Sequence, residues 1–382
     1  MGRKLKMGMI GGGPGAFIGS VHRMAANLDG EIELVCGVFS SDPKKSLQTG
    51  KSLHLDHERI YFDFESMIKK ESILPVSRRM DFVSIVTPNH LHYKPAALAL
   101  QYGFHVIMDK PMTFDLEEAR KLKEIADESN KLFALTFTYT GYPMVKEARQ
   151  LVQSKRLGKI RKVYVEYIQG WLSDPLEKGK HKQAEWRTDP KRAGEGGCVG
   201  DIGIHAANLA EYVSGRKIQE VCASLNSVVA GRKLDDDCTI MLKLENGITG
   251  SLICTQVAAG EENNLSIRVY GEKGGLEWRQ EEPNTLIVKW EGKPKEELRV
   301  GWTYNSGVTL KNTRTPSGHP EGYLEAFANI YKNFSMAIQN QNRKKNIAYD
   351  FPDVNEGLRG MAFIRAAVKS SQAHQKWTAI KV

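Results

Sequence analysis

Asp201 and His205 stand four residues apart at the start of a helical pattern, behind the small residues Gly196-Gly197-Cys198-Val199-Gly200. On a helix that spacing puts both side chains on one face. An imidazole titrates near neutral pH and can take the proton of a hydroxyl. A carboxylate beside it can orient the ring and stabilise the imidazolium. The same spacing also suits a helix capped by its Asp with a packed His behind it. The run of small residues favours the chemical reading, because it lets a ligand come close.

A second set lies in the first third of the chain. Gly11-Gly12-Gly13-Pro14-Gly15-Ala16 follows a strand pattern and precedes a helix that opens with Phe17 and Ile18. Read as G-x-G-x-x-A, the match uses Gly11, Gly13 and Ala16. Such a turn lets the backbone approach a pyrophosphate while the helix N-terminus meets its charge. A nicotinamide dinucleotide is therefore the expected cofactor. Its choice should be made about 20 residues on, at the end of the second strand. There the chain reads Phe39-Ser40-Ser41-Asp42, with Lys44-Lys45 beyond. Neither a well-placed acid nor an Arg stands there; Asp42 favours NAD, and NADP stays open. Two further strand ends add Thr87-Pro88-Asn89-His90-Leu91-His92 and Met108-Asp109-Lys110-Pro111. A Lys at the carboxyl end of a strand, followed by Pro, points its ammonium into the crevice where open α/β sheets bind ligands.

The elements that must hold these residues follow from periodicity. Short apolar strands are read at Met7 to Ile10, Glu33 to Phe39, Phe82 to Val86, Phe104 to Met108 and Phe133 to Phe137. They alternate with helices at Phe17 to Leu28, Lys94 to Tyr102 and Leu116 to Ser129. That alternation predicts a doubly wound parallel sheet of Rossmann type. After about Tyr139 the rhythm changes to strands joined by tight turns such as Glu245-Asn246-Gly247, which predicts an α+β domain on a mostly antiparallel sheet. Helices are read at Met144 to Lys155, Ile204 to Val213, Gly322 to Ile338 and Val354 to Lys369. The expected division is 1–138 for the dinucleotide-binding domain and 139–382 for the second, with a C-terminal helix able to pack back on the first. A length of 382 residues fits two domains at roughly 150 residues each.

Composition excludes several classes. No apolar run reaches the roughly 20 residues that span a bilayer. The basic start, Met1 to Lys6, runs straight into a strand pattern, so no secretory signal is expected. Lys6 stands where a myristoylation motif wants Ser or Thr. Five scattered cysteines without C-x-x-C give neither a disulfide framework nor a zinc site, so no metal and a reducing cytoplasm are expected. The formal charge of +9 invites nucleic acid, but the densest basic clusters, Lys178 to Lys182 and Arg343 to Lys345, lack interleaved aromatics. Neither nucleic acid nor membrane is an expected partner.

Together, Gly11-x-Gly13, Thr87-Pro88-Asn89-x-x-His92, Asp109-Lys110-Pro111 and Gly196-Gly197…Asp201-x-Gly203-x-His205 resemble the glucose–fructose oxidoreductase / inositol dehydrogenase (Gfo/Idh/MocA) family over essentially the whole chain. The resemblance implies a Rossmann domain, a C-terminal domain with an open sheet, and a homodimer or homotetramer through that sheet. It implies that Lys110 bonds the substrate oxygen, that His205 is the acid/base supported by Asp201, and that Asn89 and His92 lie near the cofactor. Three departures stand out: Asp109 where Glu is usual, a lengthened glycine loop running on through Phe17-Ile18-Gly19-Ser20-Val21-His22, and Asn208 where Asp is frequent. Tyr139-Thr140-Gly141-Tyr142-Pro143, Gln169-Gly170-Trp171, Trp186-Arg187-Thr188-Asp189-Pro190 and Gly318-His319-Pro320-Glu321-Gly322 resemble a subgroup with levoglucosan dehydrogenase and sugar or cyclitol 3-dehydrogenases. Polyols want hydrogen-bonding side chains and a flat aromatic face. Tyr139, Gln169, Trp171, Trp186, Arg187, Asn208 and His319 are the substrate-side candidates. The implied activity is hydride transfer between a nicotinamide and a secondary alcohol of a sugar, anhydrosugar or cyclitol. A catalytically silent regulator and a glycosidase using transient oxidation are the alternatives.

Overall fold

Strands that are apolar on both faces must be covered on both sides, which favours a parallel sheet between helix layers. The computed structural model, which describes residues 3–179, 181–342 and 350–382, has that arrangement in the first third of the chain. β1 (Leu5–Gly11), β2 (Ile32–Val38), β3 (Phe82–Val86), β4 (His105–Met108) and β5 (Phe133–Leu135) lie in the order β2-β1-β3-β4-β5, and every pair is parallel. All residues of β3 and β4 are buried. The strand order reverses direction at β1, so the carboxyl ends of β1 and β3 flank a switch point of the kind where open sheets bind ligands. The glycine turn follows β1, Thr87 follows β3, and Asp109-Lys110 follows β4 with a cis Lys110–Pro111 peptide.

Two helices between β2 and β3, Pro43–Ser52 and Phe64–Ile73, are absent from the sequence reading, whose apolar periodicity misses their polar faces. Local chemistry starts both: Asp42 accepts from the Lys44 and Lys45 amides, and Asp63 from that of Ser66. Glu71 on the second helix is fully buried and accepts from Arg59 Nε at 3.0 Å, Arg59 Nη2 at 2.6 Å, the Tyr61 hydroxyl at 3.0 Å and the Met80 amide at 2.9 Å. This carboxylate pins the segment leading into β3.

The chain separates into two compact units, Met1–Phe137 with Phe327–Leu358, and Thr138–Ala326 with Arg359–Val382. The second is built on β6 (Ile160–Ile168), β7 (Ile218–Asn226), β8 (Asp237–Leu244), β9 (Thr249–Thr255), β10 (Asn264–Gly271), β11 (Gly274–Arg279), β12 (Thr285–Trp290), β13 (Glu296–Arg299) and β14 (Thr378–Ala379). Their order is β13-β12-β11-β10-β6-β9-β8-β7-β14, antiparallel throughout except for the parallel pair β6–β9. Val163, Val165 and Tyr167 of β6 alternate inward, and the helix Ile204–Ser214 packs on that face. Among the described residues no helix is long and apolar enough to cross a membrane. Lys180 and the basic cluster Arg343 to Lys345 lie outside the described residues.

Arg59→Met should lower the stability of the first unit by about 3–5 kcal/mol, because the buried Glu71 carboxylate loses its charge partner. Urea unfolding followed by circular dichroism measures this, and a loss below 1 kcal/mol, the range of an exposed pair, would mean the pair is only superficial.

Candidate active site

The glycine turn is shaped by backbone crowding. A Cβ at Gly13 would sit 2.3 Å from the Phe39 carbonyl oxygen at the end of β2, and one at Gly19 would sit 2.3 Å from Gly12 Cα. No other side chain tolerates those approaches. Arg23 Nη1, one turn along the helix Phe17–Asn27, donates to the Gly12 carbonyl at 3.0 Å and holds the turn. Ala16 precedes that helix without a side-chain cap, so its first amides keep their capacity for an anion. Phe17 is exposed and Ile18 half-buried.

The close packing of Gly13 on Phe39 brings Ser40, Ser41 and Asp42 beside the turn. Ser40 Oγ accepts from the Asp42 amide at 3.1 Å. Asp42 Oδ1 is engaged as the helix cap, at 2.9 Å from the Lys44 amide and 3.4 Å from that of Lys45. Thr87 Oγ1, at the end of β3, is buried and has no hydrogen-bond partner among the described residues. These features fit a nicotinamide dinucleotide: a cradle that only glycine permits, an uncapped helix start, and an unsatisfied hydroxyl at the next strand end.

Asn89 is buried in a short helical turn opened by Pro88. His92 is buried completely, its Nδ1 2.8 Å from the Pro111 carbonyl and its Nε2 2.7 Å from the Thr87 carbonyl. Both partners only accept, so serving both at once needs an imidazolium. Burial pushes the His92 pKa down, against the pull of the Pro111 carbonyl and the Asp109 charge. The neutral ring that this favours has one N–H, so His92 lies between the loops after β3 and β4 and donates to one of the two carbonyls at a time. Asp109 Oδ1 accepts from Thr136 Oγ1 at 2.7 Å and faces His22 Nε2 at 3.4 Å. Burial alone would raise this carboxyl, but the His22 and Thr136 contacts and the Lys110 charge outweigh it and hold its pKa at about 2. Lys110 follows, half-buried.

In the second unit, Asp201 lies in a π-helical turn, Val199–Gly203, and His205 in the α-helix that continues it. Such wide turns are rare and concentrate at functional sites. Asp235 braces the turn: its carboxylate oxygens accept from the Gly197 and Val199 amides at 2.7 Å each, and its carbonyl accepts from the Cys198 amide at 2.7 Å. A Cβ at Gly197 would sit 2.1 Å from that carbonyl oxygen, which is why glycine precedes the turn.

Asp201 Oδ2 accepts from Arg187 Nε at 3.1 Å and Gln256 Nε2 at 2.9 Å. The Arg187 guanidinium lies 4.2 Å from the Trp186 ring centre and 5.9 Å from that of Trp171. His205, 7% exposed, meets the Tyr139 and Tyr167 rings edge to face at 4.9 and 6.1 Å. The two phenol hydroxyls are bonded to each other. Tyr167 donates to Asn263 Oδ1 at 2.7 Å, so Tyr139 must donate to Tyr167. Gln169 donates to the same Asn263 oxygen at 2.7 Å, and Trp171 Nε1 to Gln169 Oε1 at 3.1 Å. Burial pushes both phenols well above their usual pKa and keeps them neutral.

The structure thus gathers Tyr139, Gln169, Trp171, Trp186, Arg187, Asp201 and His205 into one cluster. Asn208 is half-buried further along the His205 helix. His319 is exposed, and among the described residues no hydrogen bond joins its side chain to the cluster. Arg23, Tyr167, Asp235, Gln256 and Asn263 escape the sequence reading. Tyr167 carried a signal, since an inward-facing phenol on a strand needs a partner for its hydroxyl. Gln256 and Asn263 carried none.

A family model described as the oxidoreductase family, NAD-binding Rossmann fold, matches residues 5–137, and one described as the GFO/IDH/MocA C-terminal domain matches residues 145–277. An oxidoreductase from Sinorhizobium meliloti of known crystal structure is 43% identical, with a TM-score of 0.89 over 98% of this chain and 99% of that one. An inositol dehydrogenase homolog from Azotobacter vinelandii, solved with NADH and myo-inositol, is 32% identical, with a TM-score of 0.92 over 99% of this chain and 98% of its own. The levoglucosan dehydrogenase of Pseudarthrobacter phenanthrenivorans is 26% identical over 75% of this chain and 76% of its own length.

Two outcomes follow from the geometry. Asp235→Asn puts an amide N–H against a backbone N–H and should cost about 1–3 kcal/mol, with turnover falling as the π turn shifts; unchanged melting and turnover would show that the brace is dispensable. Asp109 is ionised down to a pKa of about 2 in the folded chain, against about 3.9 unfolded, so its contribution is full above that value and is lost as pH falls toward 2. Asp109→Asn should be less stable than the parent at pH 7, with the gap closing between about pH 4 and 2 in acid-unfolding curves.

Proposed function

This chain belongs to the Gfo/Idh/MocA family of NAD-dependent oxidoreductases, and from that premise we propose how its residues oxidise a secondary alcohol of a sugar, anhydrosugar or cyclitol. The observation that carries the reading is the π turn, which holds a carboxylate between two donors and sets His205 on the helix that continues it. NAD, when bound, supplies the acceptor for the hydride that leaves the alcohol carbon. The glycine turn and the start of the helix Phe17–Asn27 would hold its pyrophosphate, Thr87 Oγ1 would offer it a hydroxyl, and Ser40, Ser41 and Asp42 would lie on the ribose side.

Hydride can leave the carbon only as the hydroxyl proton is removed, since the product is a carbonyl. His205 takes that proton, and the Lys110 ammonium bonds the oxygen on which charge builds. Asp201, anionic between Arg187 and Gln256, stabilises the imidazolium that results. The neutral Tyr139–Tyr167 pair walls the imidazole without competing for the proton. Gln169, Trp171, Trp186 and Asn208 supply hydrogen bonds and a flat face of the kind a polyol takes. The myo-inositol and levoglucosan of the two relatives support this substrate class. A homo-oligomer through the second sheet and a reducing compartment belong to the same proposal.

His205→Ala should lower turnover by roughly 10²–10⁴-fold and flatten the acid limb of the pH–rate profile, while NADH binding followed by fluorescence persists. Asp201→Asn should lower turnover as well, and the double variant should lose far less than the product of the two. Absorbance of NADH over a panel of sugars and cyclitols is the measurement. Multiplicative losses would make Asp201 an independent ligand and sink the pairing.

A further inference from the structure

One fully buried titratable side chain has no task in this mechanism. His22 lies on the helix behind the glycine turn and has no exposed surface. Its Nδ1 is 2.7 Å from the Tyr331 hydroxyl and 3.2 Å from Ser84 Oγ, and those two oxygens are 2.9 Å apart. Its Nε2 faces Asp109 Oδ1 at 3.4 Å, and the Phe327 ring stands edge-on at 4.7 Å. A carboxylate can only accept, so Nε2 carries the hydrogen. The remaining donations then close head to tail: Ser84 to Tyr331, Tyr331 to Nδ1, and Thr136 to Asp109.

Ser84, His22 and Asp109 have the order of a nucleophilic triad, but Ser84 is fully buried on β3, where no substrate carbonyl can reach it. The network does something else. Asp109 directly follows β4 and precedes Lys110, and its amide is bonded to the Ile85 carbonyl at 3.1 Å, so its backbone is already tied to β3. Its side chain is the remaining freedom at that strand end, and His22 and Thr136 take it. The short Asp at this position and the lengthened turn that runs on to His22 meet in this one contact.

We propose that His22 is a positioning residue for Lys110, acting through Asp109, so that the helix behind the glycine turn sets where the lysine ammonium stands. The proposal rests on the role assigned to Lys110 above. His22→Ala should lower kcat about tenfold with little change in sugar KM, the size of a direct contact coupling, and NADH affinity by fluorescence should stay within about threefold. Adding Asp109→Glu should restore most of the loss, because the longer carboxylate reaches the volume the imidazole vacates. Asp109→Glu alone should be impaired by crowding His22. Tyr331→Phe, which keeps the ring and the volume, gives a milder loss in the same direction and guards against a fold defect in His22→Ala. The modification rate of Lys110 by trinitrobenzenesulfonate in nucleotide-free protein, read by peptide mass spectrometry, should change in His22→Ala and return in the double variant. That readout stands even if Lys110→Met kept its turnover and so removed the catalytic reading. A drop in melting temperature with unchanged kcat and labelling, or a double variant no better than the product of the singles, overturns the proposal.

Discussion

Two stretches of backbone can approach only as closely as their Cβ atoms allow, and the dinucleotide half of this protein is built where that limit has been removed. The Gly13–Phe39 and Gly12–Gly19 approaches have no room for a side chain. They bring the end of β2, the glycine turn and the first turn of the helix together. The sheet reverses its order between β1 and β3, so the glycine turn and Thr87 follow the two strands that flank the switch point. The same device recurs at Gly197, where contact with the Asp235 backbone lets a π turn form ahead of His205. Placing glycine at these approaches costs conformational entropy on folding, because an unfolded glycine has more freedom to lose. The buried strands and helices beneath them supply the compensating free energy.

Polar groups inside such packing must be satisfied or they destabilise the fold. Each unit answers with a network whose members come from distant parts of the chain. In the first, Asp109, Thr136, His22, Tyr331 and Ser84 pass donations along a line. In the second, Asp201, Arg187 and Gln256 form one group, and Tyr139, Tyr167, Asn263, Gln169 and Trp171 another around His205. Several residues that look like free substrate ligands in the sequence spend polar atoms on these networks. Arg187 is the clearest case: it is stacked on Trp186 and bonded to Asp201, so its first effect is on the carboxylate. Asp42 likewise caps a helix with one of its two carboxylate oxygens.

Much of the architecture was legible from residues alone. The strand over Phe82–Val86 and the helix over Leu116–Ser129 appear with the bounds their patterns predict, and the change from parallel to antiparallel pairing comes after β5, as read. Helices Pro43–Ser52 and Phe64–Ile73 were not legible by apolar periodicity, because much of what they bury is small or polar: Ser46, Thr49, Gly50 and Glu71. Their start signals, Asp42 and Asp63, were there to be found.

Periodicity, turn chemistry and capping act over a few residues, so the sequence by itself determined the elements, the glycine turn and the presence of Lys110, Asp201 and His205 at element ends. Which groups those side chains meet was decided by tertiary structure. Gln256 reaches Asp201 and Asn263 reaches Tyr167 because β9 pairs in parallel with β6 while β10 pairs with its other edge, and no local pattern encodes that neighbourhood. His22 meets Asp109 across 87 residues because the helix after β1 packs over β3 and the end of β4. A hydrogen bond needs its partners within about 3 Å, and strand order, not distance along the chain, chose them.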